Sequence, residues 1–243
     1  MEPSMDAKTY TLKAPEDAHL FFRGYRCHPP TGWWFRGQAD ATWSLVPKAG
    51  RAKYSLPDGR GYGRFRSWSQ QAVAYYEAIP ENDWERLAIA QHFGLATCLL
   101  DWTYNPLVAL YFACAELPDE AGAVYCYDPD HFLDEKIVDL ETANCSGAAF
   151  VPRAISQRIL SQRAVFSVHL PAGGEIPVKP SAVTPDHPNL AKLIVPAPLK
   201  GALIELLNDY GISRVGLFPD LEGLSRHVNW ETEQIVKPRQ SKG

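Results

Sequence analysis

The feature that most constrains the fold is the stretch QHFGLATCLLDWTYNPLVALYFA at positions 91–113. Its centre is a short apolar run that ends in the tripeptide Asp-Trp-Thr at 101–103, which is typical of a buried strand with polar groups at its end. Asn82 before this strand and Asn105 after it are residues of the type that begins helices. We therefore expect a buried strand between two helices, with the ends of three elements close together.

The two flanking helices carry start and stop signals. Asn82 is followed three residues later by a glutamate, the spacing of a capping box, and Gly94 suits a left-handed helix end, which together predict a helix over about 83–93. Asn105 followed by Pro106 predicts the start of the second helix. Because this second helix is apolar on all sides, we expect it to be buried.

The rest of the chain mixes helical and extended patterns. The segments 122–128 and 212–218 predict strands, and 197–211 predicts a helix closed by its final glycine. A stretch rich in proline and glycine at 172–190 predicts a surface loop. There is no repeated βαβ unit and no linker, so we expect a single α+β domain with a mixed, substantially antiparallel sheet and flanking helices.

Composition narrows the class of protein. The chain has 243 residues, of which 46% are hydrophobic, enough for a full core. It has neither an apolar run of membrane-spanning length nor a signal-like start, so we expect a cytoplasmic protein without a membrane partner. Five widely spaced cysteines without a C-x-x-C pair and seven histidines without paired spacing predict reduced thiols and no metal site.

Charge is unevenly distributed along a chain whose net charge is −4. The segment 36–66 holds seven basic and two acidic residues, whereas 116–141 holds nine acidic residues and one basic residue. A positive segment on an acidic protein favours a nucleotide or nucleic-acid substrate over permanent coating of DNA.

Arg36 follows three aromatic residues in the stretch WWFRGQAD at 33–40. Two interpretations stay open: Arg36 pairs with a buried carboxylate while Gly37 makes a bend, or Arg36 binds a ligand phosphate or carboxylate while Gly37 allows close approach. The polar residues of 91–113 also have two interpretations: each could contact a ligand, or each could merely cap a helix or hydrogen-bond to a loop. These polar residues are Gln91, His92, Thr97, Asp101, Thr103 and Asn105.

Four separated blocks, in this order, resemble the FRG domain family, which is named for its Phe-Arg-Gly motif. The blocks are FRGQ at 35–38, AIAQHFGLATCLLDWTYNPLVALYFA at 88–113, ISQRILSQRAVFSVH at 155–169 and LNDYGISRVGLFPDLEGL at 207–224. The resemblance implies an FRG domain over 20–230, between an N-terminal extension at 1–19 and a basic tail at 231–243. It also implies a bacterial or phage setting with toxin or antiphage-defence associations, and hence an antitoxin protein as a partner.

A more distant resemblance links LLDWTYNPLVALYFA to the middle motif of ADP-ribosyltransferases. In those enzymes a strand ends in a Ser/Thr segment and is followed by a helix with Ala and Phe at the spacing of Ala109 and Phe112. They also carry an early Arg or His and a late Glu, and Arg36 and Glu222 stand in that order here. The chain departs from the pattern at 101–103, where Ser-Thr-Ser often occurs, and Glu222 could simply be a first-turn acid of a helix behind Asp220.

This second resemblance implies an ADP-ribosyltransferase-like fold in which NAD is consumed as a substrate. Splitting NAD passes through an oxocarbenium-like state that a carboxylate stabilises, so Glu222 is assigned that role, and Arg36 is expected to bind the pyrophosphate or the nicotinamide end. No G-x-G-x-x-G fingerprint for a bound dinucleotide cofactor is present. The other expected NAD-binding residues are Gly37, Gln38, Gln91, His92, Thr97, Asp101, Thr103 and Tyr104.

Three functions stay open at this point. The first is an NAD-consuming ADP-ribosyltransferase of the toxin or antiphage-defence type, with RNA, DNA or protein as the acceptor. The second is a nucleotide- or nucleic-acid-binding module without catalysis. The third is a hydrolase that uses Asp101, His92 and Glu222.

Overall fold

The computed structural model describes residues 7–28, 31–76, 79–153, 157–182 and 187–240. The strands are β1 (Lys8–Thr11), β2 (Cys27–His28), β3 (Thr31–Gly32), β4 (Trp34–Gln38), β5 (Leu99–Thr103), β6 (Gly122–Tyr127), β7 (Cys145–Phe150), β8 (Ala164–Leu170) and β9 (Leu190–Val195). The helices are α1 (Asp17–Phe22), α2 (Tyr62–Ala72), α3 (Asp83–His92), α4 (Pro106–Cys114), α5 (Gln157–Ser161), α6 (Ala197–Asp209), α7 (Arg214–Leu217) and α8 (Leu221–Gln240).

Seven of these strands form one open sheet in the order β1-β9-β6-β4-β5-β8-β7, and β2 and β3 form a separate hairpin. The β1–β9 pair is parallel, while the other neighbours in the large sheet are antiparallel. The predicted α+β class with a mixed, substantially antiparallel sheet and flanking helices is therefore confirmed.

The core is divided between the two halves of the sheet. Apolar side chains of α4 and α6 pack against β4, β6 and β9. Apolar side chains of α2 and α3 pack against β5, β7 and β8. On the opposite face, a third cluster centred on Trp34, Trp102 and Tyr127 spans both halves. Each half-sheet thus has its own helical cover, and the aromatic cluster joins the two from behind.

The helix signals around β5 are confirmed. The side chain of Asn82 accepts hydrogen bonds from the amides of Trp84 and Glu85 at 2.8 and 3.2 Å, and Gly94 adopts the left-handed conformation with φ of 90°. Asn105 caps α4 in the same way, and α4 is largely buried. The capping box is completed on one side only, because the buried Glu85 carboxylate accepts from the backbone amide of Arg153 at 3.0 Å.

The strand predicted at 122–128 is confirmed as β6, and the helix predicted at 197–211 is confirmed as α6. The strand predicted at 212–218 is wrong, because these residues include the short helix α7. Ser213 starts this helix by accepting a 3.4 Å hydrogen bond from the amide of Gly216. In the predicted loop at 172–190, the described residues form neither a helix nor a strand before Leu190 apart from isolated bridge pairing, and 183–186 lie outside the described residues.

The described segments nearest to the two termini belong to this fold. The strand β1 lies inside the predicted extension at 1–19 and pairs with β9, and α8 continues through the described part of the predicted tail at 231–243. None of the helices within the described ranges combines the length and apolarity needed to cross a membrane.

Candidate functional site

The large sheet divides between its central strands β4 and β5. Strand β4 pairs with β6 along its whole length, and β5 pairs with β8 along its whole length. Between β4 and β5, however, the pairing is confined to Phe35 opposite Thr103. Beyond this pair the strands separate, and a gap opens in the middle of the sheet with backbone groups of β5 along its edge.

Arg36 extends from β4 into this gap. Its Nη1 donates a 2.7 Å hydrogen bond to the backbone carbonyl of Asp101 and lies 3.7 Å from the carboxylate Oδ2 of the same residue. The Arg36 side chain is only 14% exposed, and its Nε–H is buried without an acceptor within the described ranges. Burial lowers the pKa of Arg36, the Asp101 carboxylate raises it, and the nearby Arg51 lowers it further. The guanidinium stays charged and keeps donors for a ligand.

A cavity of about 350 Å³ occupies the gap, and we name it the Arg36 cleft. Arg36, Lys48 and Arg51 line it, whereas Asp101 is the sole carboxylate among the lining residues that the structure describes. The side chain of Asp101 is 59% exposed, so its carboxylate faces the opening. With three cations and one anion, the cleft is suited to an anionic ligand.

The loop after β4 positions two of these cations. A short 3₁₀ helix at Lys48–Gly50 is held to the turn before β5, because the amide of Ala49 donates to the carbonyl of Thr97 at 3.1 Å. The Lys48 ammonium donates to the carbonyl of Gly94 at 2.8 Å. Arg51 Nε donates to the carbonyl of Val46 at 3.3 Å, which leaves its terminal amino groups at the cleft.

Five of the seven basic residues in the positive segment at 36–66 therefore fall into two groups. Arg36, Lys48 and Arg51 line the cleft. Arg60 and Arg64 instead donate to backbone carbonyls of neighbouring segments and so hold the fold together.

The structure brings six of the predicted site residues to the Arg36 cleft. These are Arg36, Gly37, Gln91, His92, Asp101 and Thr103. Their polar groups differ in availability. The amide of Gln91 donates to the carbonyl of Leu99 at 3.1 Å, so it braces β5. The hydroxyl of Thr103 donates to the carbonyl of Gln162 at 2.7 Å and accepts from the amide of Asn105 at 3.0 Å.

Three other predicted residues lie beside the cleft or behind it. Thr97 is buried and donates from its hydroxyl to Gln91, so it holds the turn before β5. Tyr104 packs edge-on against Trp34, with ring centroids 5.9 Å apart, in the aromatic cluster behind the sheet. Gln38 lines an adjoining cavity.

Glu222 lies in the first turn of α8, and none of the lining residues that the structure describes for the Arg36 cleft comes from that helix. Its side chain is 71% exposed, and its Oε1 lies 2.7 Å from Nη2 of Arg226 one turn along. The side chain of Asp220 caps the helix by accepting from the amide of Gly223 at 2.7 Å. This position matches the interpretation of Glu222 as a first-turn acid and gives its assigned catalytic role no support.

Gly37 is required for a different reason from the one expected. A Cβ atom built on Gly37 would lie 1.9 Å from the carbonyl oxygen of Ala109 and 2.7 Å from the amide nitrogen of Ala113. The glycine therefore lets the backbone of α4 pack directly on β4. The group that comes close to Gly37 is therefore the backbone of α4, and α4 also forms one wall of the cleft.

The adjoining cavity has a volume of about 240 Å³ and shares Arg36, Gly37 and Arg51 with the cleft. Its far wall includes Arg214 of α7, and we name it the Arg214 cavity. Arg214 is not among the predicted site residues, because it lies in the segment predicted as a strand. The serine before it, an N-cap residue type, was the available signal.

A buried hydrogen-bonded chain supports β5 from behind. Trp102 Nε1 donates to Ser167 Oγ at 2.8 Å, Ser167 Oγ lies 2.9 Å from His169 Nε2, and His169 Nδ1 lies 2.9 Å from the carbonyl of Gly174. Burial lowers the pKa of His169 to about 4, with nearby Arg36 acting in the same direction. A neutral His169 donates from Nδ1 to Gly174 and accepts from Ser167 at Nε2, so the whole chain is satisfied.

The fold and the cleft together define an α+β protein with a cationic cleft in a divided sheet. Residues 31–121 match the model of the FRG domain, so the resemblance to the FRG domain family predicted from the sequence is supported over this segment. The matched segment contains the cleft residues Arg36, Lys48, Arg51 and Asp101, whereas Arg214 lies outside it. No curated protein and no solved structure matches the chain significantly.

Proposed function

We propose that the Arg36 cleft binds the pyrophosphate of NAD and that the protein transfers ADP-ribose from it. The observation that carries the proposal is the buried Arg36 guanidinium, which uses one hydrogen bond on the backbone of Asp101 and has a buried Nε–H without an acceptor in the described ranges. A charged group with unused donors at the floor of a cavity favours a ligand that supplies negatively charged acceptors.

The electrostatics of the cleft favour phosphate as that acceptor. Arg51 is close enough to Arg36 for its charge to lower the pKa of Arg36, and Lys48 adds a third positive charge. Like charges held together repel one another, so an anion bound among them relieves that repulsion. A pyrophosphate carries the charge and the several oxygens that three cations can share.

The carboxylate for the transfer step in this proposal is Asp101. The bond between ribose C1′ and the nicotinamide nitrogen breaks, and nicotinamide leaves with the bonding electron pair. A nucleophile of the acceptor then forms a bond to C1′ and releases its proton to solvent. Positive charge grows on the ribose before that new bond forms, so a carboxylate at the cleft opening stabilises it. Asp101 has the required charge and exposure, whereas Glu222 is on α8 and ion-paired with Arg226.

The test is an assay of the purified full chain with NAD labelled in the nicotinamide ring. Nicotinamide release is measured with the protein alone and with added cellular RNA, DNA or protein. In a second assay, NAD labelled in its adenosine half identifies the acceptor. The proposal expects release that increases with one acceptor class, and transfer of the adenosine label to it. Binding of NAD without release of nicotinamide would favour a nucleotide-binding module without catalysis, and no binding would refute the proposal.

A further inference from the structure

The Arg214 cavity contains an unusual concentration of unpartnered polar atoms. Arg36 Nε, Gln38 Oε1 and Arg214 Nε are all buried, and none has a hydrogen-bond partner within the described ranges. All three residues line this cavity. Because buried polar atoms in folded proteins are nearly always hydrogen-bonded, three such atoms in side chains that line one cavity favour the binding of a polar ligand there.

Arg214 packs against an aromatic ring, and within the described ranges it forms no ion pair with a carboxylate. Its guanidinium carbon lies 5.1 Å from the ring centroid of Phe218, and it lies near Tyr111, whose pKa is raised by burial and lowered in part by the Arg214 charge. A planar cation fixed on an aromatic ring in this way loses little freedom when it binds an anion.

The charges of the cavity match an anion as well. Arg36, Arg51 and Arg214 line it, against Glu116 as the single carboxylate of the wall that the structure describes. Two of the unpartnered atoms are guanidinium donors, so the ligand has to supply acceptors to them.

Gln38 offers a hydrogen-bond acceptor to the cavity, whereas the two arginines offer donors. Its Nε2 donates to the carbonyl of Ser44 at 3.3 Å, which fixes the amide with its Oε1 as the free acceptor. The ligand therefore has to present an O–H or N–H group beside its anionic group.

We propose that the Arg214 cavity binds a ribose phosphate of a free nucleotide, with the phosphate contacting Arg36 and Arg214 and a ribose hydroxyl donating to Gln38. This inference rests on the proposed function in one respect, which is that the neighbouring Arg36 cleft also takes part of a nucleotide. Since both cavities share Arg36, the two linked phosphates of a pyrophosphate join the two compartments. Arg214 is thereby assigned as the residue that binds the second phosphate of a diphosphate, and Gln38 as the residue that binds the ribose hydroxyl.

The test is calorimetric titration of the full chain with ADP, AMP, adenosine and a short single-stranded RNA. We expect ADP to bind more tightly than AMP, and adenosine to bind weakly. In the Arg214→Lys variant the charge remains but the planar fork is lost, so the Kd for ADP should rise about tenfold or more. In Gln38→Met the Kd for ADP should rise about threefold or more, because the acceptor for the hydroxyl is gone.

Arg226→Lys is the matched control, because Arg226 is an exposed arginine that pairs with Glu222 on α8 and lines neither the cleft nor the Arg214 cavity. It should leave the Kd for ADP unchanged. Hydrogen–deuterium exchange of the wild-type chain provides a readout that needs no variant, since ADP should slow amide exchange at 213–218. Unchanged exchange there, or an unchanged Kd in Arg214→Lys, would overturn the inference.

The remaining outcomes separate the two proposals. If NAD binding depends on Arg36 but not on Arg214, the inference fails and the proposed function stands. If ADP binding depends on Arg214 while NAD releases no nicotinamide, the cavity assignment stands and ADP-ribosyl transfer fails. Tighter binding of the RNA than of ADP, with dependence on Arg214, would replace the free nucleotide with a nucleic-acid strand.

Discussion

The guanidinium of Arg36 donates a 2.7 Å hydrogen bond to the backbone carbonyl of Asp101 across the gap between β4 and β5. A carbonyl on the edge of a separated strand would otherwise lack a partner, so one side-chain donor replaces a missing backbone donor. Arg36 thus connects the two half-sheets and also lines the cleft between them. A useful substitution has to separate these two roles.

Arg36→Lys makes that separation. A lysine can still donate to the Asp101 carbonyl, so we expect the free energy of unfolding in urea to fall by no more than about 1 kcal/mol. The planar fork is lost, so the Kd for NAD measured by calorimetry should rise about tenfold or more. Arg60→Lys is the control, because Arg60 donates to the carbonyls of Glu141 and Ala143 away from the cleft. It should change stability and leave NAD affinity alone, and an equal loss of affinity in both variants would contradict the role of Arg36.

The elements that sequence reasoning predicted best are those with local signals. The helices α3 and α4 and the strand β5 have caps, glycines and apolar runs within a few residues of one another, and these signals act whatever the rest of the chain does. The segment around α7 has an extended-looking apolar pattern but folds as a short helix capped by Ser213. Four residues are too few for helical periodicity to be visible.

The residues of the candidate site differ in the same way, since some have local sequence signals and others do not. Gln91, His92, Asp101 and Thr103 were predicted together because they share one continuous stretch, and the structure brings them to the cleft. Arg214 reaches the adjoining cavity only through tertiary packing of α7 against α4, for which the sequence has no local marker. The sequence already allowed Glu222 to be a first-turn acid of a helix, but its position away from the lining of the cleft depends on how α8 packs, for which the sequence has no local marker.

Gly37→Ala tests whether this glycine serves helix packing. The added methyl group would lie 1.9 Å from the carbonyl oxygen of Ala109, which the α4 backbone cannot relieve without moving away from β4. We expect the free energy of unfolding to fall by about 2 kcal/mol or more.

The matched control for that change is Gly201→Ala on the helix α6. A Cβ atom at Gly201 has no heavy atom within 4 Å, and an alanine in a helix restricts the unfolded chain more than a glycine does. It should therefore stabilise the protein by about 0.5–1 kcal/mol. A Gly37→Ala variant as stable as the wild type would contradict the packing argument.

Asp101→Asn and Glu222→Gln distinguish the two carboxylates considered for the transfer step. Asparagine at 101 removes the negative charge but leaves the backbone carbonyl that Arg36 binds, so the fold should be kept. We expect nicotinamide release to fall about 10²-fold while NAD still binds, since the carboxylate acts on charge that develops during the reaction. Glu222→Gln removes only an exposed ion pair with Arg226, so release should be unchanged and stability should fall by about 0.5 kcal/mol at most. Full release in Asp101→Asn with lost release in Glu222→Gln would reverse the assignment.

The buried His169 makes stability depend on pH in a defined window. Burial lowers its folded-state pKa from 6.5 to about 4, so between these two values the unfolded chain binds more protons than the folded one. The folded state therefore loses stability as the pH falls through this window, and the loss caused by His169 between pH 7 and pH 5 is about 2 kcal/mol.

Urea unfolding at both pH values should show this loss in the wild type and a smaller one in His169→Gln, whose amide does not titrate. His187→Gln replaces a histidine that is exposed in the structure and should keep the wild-type pH dependence. If His169→Gln loses as much stability as the wild type on acidification, His169 is not the neutral, buried link between Ser167 and Gly174.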